Sequence, residues 1–106
     1  MVSKALVSIK IGLKLHQYQL LNDAVLSNPL VERAWVFGSR ALGTFKESSD
    51  IDIALEGKAL TLNEIALMLD TLDQSSLPYK VDLLIKHKIT SPELLTHIEQ
   101  HGLQIK

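Results

Sequence analysis

The sequence predicts a small α/β (α+β) domain, a short mixed sheet flanked by helices. Three observations carry that prediction. Helical and strand patterns alternate along the chain, with three short β-favouring runs separated by amphipathic stretches. Turn and cap residues fall between them: Asn28-Pro29, Gly38, Thr61, Leu77-Pro78 and Ser91-Pro92. At 106 residues, with 46% apolar residues and mean hydropathy +0.15, the chain is long enough for one modest core. Residues 1–106 therefore read as a single domain with no linker, internal repeat or low-complexity run.

Leu13 to about Leu26 reads as the first helix, with Leu13, Gln17, Leu20, Leu21, Ala24 and Val25 along one stripe. Val31 to Phe37 is a β-favouring run stopped by Gly38, and Arg40 to Leu42 fits one helical turn. Asp50 to Leu55 alternates carboxylate and apolar residues, as a half-buried strand does. Thr61-Leu62-Asn63-Glu64 fits a capping box opening a helix to about Gln74. Leu62, Ile65, Ala66, Leu69 and Leu72 form its inward stripe. Leu67 and Met68 lie off that stripe, so its second apolar face is a candidate partner surface. Tyr79 to Ile85 is a third strand. Ser91 caps a last helix with proline at its first position, and Gly102 ends it.

Charge and composition exclude several classes. A formal net charge of −1 argues against broad electrostatic binding to nucleic acid. No apolar run approaches the roughly 20 residues needed to span a bilayer. Lys4, Lys10 and Lys14 interrupt the N-terminal apolar residues, and no cleavage-site pattern follows. The absence of cysteine excludes disulfides and thiolate chemistry and fits a reducing cytoplasm. A soluble cytoplasmic protein with no membrane partner is expected, with homo-oligomerisation left open.

The chemistry concentrates between Gly38 and Ala54. Asp50 and Asp52 point to one face of their strand, their backbones roughly 7 Å apart, while Ile51 and Ile53 point to the other. Two such carboxylates repel unless a cation lies between them, and Mg²⁺ favours one or two carboxylates with phosphate oxygens and water. Asp82 interrupts the β run Val81-Asp82-Leu83-Leu84-Ile85, where a charge is costly without a partner. If that strand lies beside the Asp50–Asp52 strand, a three-carboxylate site for two-metal phosphoryl or nucleotidyl transfer results. Gly38-Ser39 supplies a turn whose backbone N–H groups and hydroxyl suit phosphate oxygens, with Arg40 or Lys46 adding positive charge. The P-loop pattern is missing.

Each feature alone has a plainer reading: a Gly-Ser is usually an ordinary turn, and an Asp-x-Asp is usually solvated surface. Spacing, strand context and a third carboxylate together give the signal. His16, His87, His97 and His101 show no metal-ligand spacing, so His97 and His101 read as exposed helix surface. Trp35 reads as core, Tyr18 and Tyr79 as core or rim.

Gly-Ser, ten residues, then Asp-x-Asp resembles the signature of the polymerase-β-like nucleotidyltransferase superfamily. The form Gly-Ser-Arg-Ala-x-Gly…Ser-Asp-Ile-Asp-Ile-Ala is most similar to its minimal nucleotidyltransferases (MNT or MntA-like), the antitoxins of HEPN-domain toxins. The resemblance runs from about Trp35 to Ala54 and resumes at Tyr79 to Leu84. It implies that Gly38 and Ser39 bind the β,γ-phosphates and that Asp50 and Asp52 ligate both magnesium ions. Asp82 would ligate the catalytic metal and help deprotonate the acceptor. It also implies AMP transfer from ATP to a tyrosine of a HEPN-domain partner. With no second domain to select an acceptor, another protein is expected to present it. Many members carry a basic residue where this chain has Leu42. The alternatives are a non-catalytic module that neutralises the same partner by occlusion and, less favoured, an antibiotic-modifying enzyme.

Overall fold

A computed structural model describes residues 3–106. It is built on a four-stranded sheet in the order β3-β2-β1-β4, comprising β1 (Arg33–Phe37), β2 (Ile51–Glu56), β3 (Val81–Ile85) and β4 (Leu103–Gln104). β1 pairs antiparallel with β2 and β4, while β2 and β3 run parallel. A parallel pair requires a crossover, and α4 (Leu62–Asp73) provides it.

Side-chain alternation divides the sheet into two faces. Ala34 and Val36 of β1, Ile51, Ile53 and Leu55 of β2, and Val81, Leu83 and Ile85 of β3 all belong to the main core. α4 packs there, with α1 (Lys4–Lys10) and α2 (Leu15–Leu21). The opposite face carries a smaller cluster of Phe37, Ala54 and Ile98, flanked by Trp35, Leu84, Ile89 and Leu94. Ile98 belongs to α5 (Pro92–His101), so among the described residues α5 supplies the helical cover of this second face.

The expected strands and the helices ending at Asp73 and His101 are present, and the caps are as read. The Glu64 carboxylate accepts from the Thr61 N–H at 3.0 Å, and the Ser91 hydroxyl accepts from the Leu94 N–H at 3.2 Å. α3 (Ser39–Leu42) is the anticipated short turn of helix. Five details differ. The first expected helix begins at Leu15 and continues past Leu21 as a π-helical turn, Asn22–Leu26, which brings adjacent Val25 and Leu26 both into the core. α1 was not anticipated, because its pattern is broken by lysines and only Val7 and Ser8 are buried. β4 is two residues long, below any periodicity signal. In α4 the buried stripe is Ile65, Met68 and Leu72, whereas Leu62 and Ala66 face solvent. With apolar residues on several faces, the helical period leaves the rotation free, and packing chooses it. Trp35 is only half-buried, with the Lys86 ammonium 4.4 Å from its ring centre.

No helix among the described residues is long and apolar enough to cross a membrane.

Candidate active site at one end of the sheet

The site forms where β1 ends and β2 and β3 begin. Phe37 pairs with Asp52 across the antiparallel ladder, and Asp52 pairs with Asp82 across the parallel one. Phe37, Asp52 and Asp82 thus make one row across three strands. Alternation puts that row on the α5 side, because Ile51, Ile53, Val81 and Leu83 fill the main core opposite. Asp50 lies two residues before Asp52, just outside β2, and is exposed.

The row brings like charges together. The Asp52 carboxyl is raised above the usual carboxylate range, first by burial, then by the charges of Asp82 and Asp50 and by hydrogen bonding to Asp82. A positive charge on His97 would oppose this in part. Lys80 Nζ lies 3.9 Å from Asp82 Oδ1, a largely exposed pair. No group of three or more His, Cys, Asp or Glu among the described residues is gathered tightly enough to hold an ion by itself. The expected three-carboxylate cluster is therefore a close Asp52–Asp82 pair with Asp50 near it. Such a set suits a divalent cation whose remaining ligands are phosphate oxygens and water.

The Gly38-Ser39 turn lies directly against the pair. Gly38 has φ 73° and ψ −155°, a region that only glycine occupies readily. Gly43, φ 78°, ends α3 in the left-handed conformation.

Arg40 requires a correction. The sequence suggested it as a positive group facing phosphate, but its side chain turns inward and is 1% exposed. Its guanidinium donates to the carbonyls of Ile11 at 2.7 Å, Ser49 at 2.8 Å and Glu47 at 3.2 Å. It also lies 4.5 Å from the Tyr79 ring centre and 5.2 Å from that of Phe45. These contacts tie the end of α1 and the loop before β2 to the Gly38-Ser39 turn. The solvent-facing cations near the site are Lys46 and Lys80, which border a depression of about 540 Å³ beside Tyr79.

His97 also departs from its expected place. Its Nε2 accepts a hydrogen bond from the Gly38 N–H at 2.9 Å, and its ring meets Phe37 edge-on with centroids 6.2 Å apart. Sequence reading missed it because the two residues are 59 positions apart and the packing of α5 alone brings them together.

The comparisons with known proteins agree with this architecture. No curated protein sequence matches the chain. Among solved structures, a toxin-antitoxin crystal structure with AMP-PNP is similar at 30% identity and TM-score 0.62, covering 81% of this chain and 66% of that one. A mutant toxin-antitoxin MntA-HpeT is similar at 29% identity and TM-score 0.61, covering 83% of this chain and 67% of that one. A Sulfolobus solfataricus structure shares the fold at 18% identity and TM-score 0.51, covering 98% of this chain and 87% of that one. The chain spans about two thirds, 66%, of the length of the toxin-antitoxin chain with AMP-PNP. The protein-family model described as Polymerase beta, Nucleotidyltransferase matches residues 19–106, the whole stretch that carries the sheet and the carboxylate row, and the chain belongs to that family.

Proposed function

We propose that this nucleotidyltransferase transfers AMP from ATP to a hydroxyl of a partner protein, and that it serves as the antitoxin for a HEPN-domain toxin. The observation that carries the chemistry is the juxtaposition of the Asp52–Asp82 pair with the Gly38 turn. The antitoxin role rests on the similarity to toxin-antitoxin structures, one of them with AMP-PNP and another described as MntA-HpeT.

In this reading Gly38 and Ser39 hold the β,γ-phosphates through backbone N–H groups and the Ser39 hydroxyl. Asp50, Asp52 and Asp82 would hold Mg²⁺, which would supply neutralisation of the carboxylates and triphosphate and a more acidic acceptor hydroxyl. Asp82, with one face open beside Lys80, takes the acceptor proton. The acceptor oxygen forms a bond to the α-phosphorus as the bond from that phosphorus to the bridging oxygen breaks. Pyrophosphate leaves with the electron pair.

The test is to purify the chain with a candidate HEPN-domain partner and incubate both with ATP and MgCl₂. Intact-mass spectrometry should show an AMP adduct on the partner, absent with Asp50→Asn or Asp82→Asn. Neutralisation that survives either variant without any adduct would replace catalysis with occlusion.

A further inference from the structure

The Gly38 N–H belongs to the turn assigned to phosphate, yet it is already engaged. It donates to His97 Nε2 at 2.9 Å, part-buried and across 59 residues of chain. An amide can donate only to an unprotonated ring nitrogen, so the neutral imidazole carries its proton on Nδ1. His97 thus presents to the turn what a phosphate oxygen would present, a single acceptor lone pair.

We infer that His97 is a stand-in for the phosphate in the nucleotide-free protein, and that nucleotide and His97 compete for the Gly38 N–H. The inference rests on the nucleotide reading given above. The surroundings favour a stable but releasable contact. Ile98, 2% exposed, anchors α5 in the second core, so the helix backbone stays in place. Release is then a rotation of the His97 side chain away from Phe37. The ring also neighbours His101, 5.6 Å away between centroids and itself exposed, so rotation carries it toward the exposed side of α5. The contact keeps a half-buried amide hydrogen-bonded while the site is empty, where an unpartnered donor would be costly. It also opposes nucleotide binding, because the bond must break first.

The test combines two measurements on the full chain. In isotope-labelled protein, NMR reads the nitrogen–nitrogen scalar coupling across the Gly38–His97 hydrogen bond. Calorimetry measures binding of a non-hydrolysable ATP analogue with MgCl₂ to wild type, His97→Ala and His97→Gln. The coupling should be present without nucleotide and vanish at saturation. Removing one neutral hydrogen bond from the competing state should tighten binding about fivefold in His97→Ala. His97→Gln, which retains an acceptor oxygen, should fall between the two. Equal or weaker binding by His97→Ala, no coupling in the free protein, or a coupling that persists at saturation would each overturn the inference alone, since wild type still binds. Failure of both wild type and His97→Ala to bind the analogue would remove the nucleotide reading, and this inference with it.

Discussion

A Cβ placed on Gly38 would stand 2.5 Å from Oδ2 of Asp52, so the Gly38-Ser39 turn approaches the Asp52 carboxylate through a residue with no side chain. Gly38 is required twice over, by this approach and by its positive φ of 73°. The contact makes the turn and the carboxylates one structural unit.

Gly38→Ala should therefore destabilise and disable together. The left-handed strain and the displaced carboxylate should cost about 2–3 kcal/mol in urea denaturation. Calorimetry on the remaining folded protein should show binding of an ATP analogue at least ~10-fold weaker, since the turn backbone and the Asp52 carboxylate are both displaced. A variant with wild-type stability would mean that the close approach is relieved at no cost.

Asp52→Asn should stabilise the protein while abolishing transfer. The Asp52 carboxyl is raised above its ordinary value by burial and by Asp82 and Asp50. Between the unfolded value and the higher folded value the native state binds more protons, so wild-type stability falls as pH rises through that window. Above it the full penalty is present, and asparagine escapes it. In metal-free buffer the variant should melt at a higher temperature than wild type at pH 7, the gain limited by the solvent exposure of the site. The advantage should shrink as pH falls towards the unfolded value. A Tm difference that grows on acidification would contradict it.

Arg40→Ala should be among the most damaging single substitutions outside the apolar core. It leaves the carbonyls of Ile11, Glu47 and Ser49 without their donor and empties the space between Phe45 and Tyr79. The expected loss is about 3–5 kcal/mol by chemical denaturation. Arg40→Lys should recover less than half of it, because an ammonium cannot reproduce a planar fork held between two rings. An Arg40→Ala protein of near-native stability that merely binds nucleotide weakly would restore the phosphate-facing role that the burial of Arg40 argues against.

Mg²⁺ and an ATP analogue should stabilise cooperatively. Ligand at about 100 times its Kd adds about 2.7 kcal/mol, readable as a thermal shift. Either alone should give less, because the carboxylates do not complete a site without phosphate oxygens. Asp82→Asn should abolish the cooperativity while leaving the protein folded, since Asp82 is half-buried and outside both apolar clusters.

Much of the fold was legible because its signals are local. Alternation marked Asp50 to Leu55, and Thr61 with Glu64 marked the start of α4. The rotation of α4 was not legible, since Leu62, Leu67 and Met68 make nearly every face apolar and only contact with the sheet selects Met68. Arg40 was misread for a related reason. A guanidinium beside a Gly-Ser turn suggests an anion, and its real partners are backbone carbonyls from two other segments.

The sequence by itself determined the parts: a Gly-Ser turn at a strand end, two carboxylates at strand spacing, a third on a later strand, and the caps that bound the helices. Those follow from steric and hydrogen-bonding rules that act within a few residues. Only the tertiary structure decided how the parts meet. The parallel pairing of β2 with β3 sets Asp52 beside Asp82, and the packing of α5 on that face brings His97 to Gly38. Register and helix placement depend on burial summed over the whole core, and no local pattern contains that sum.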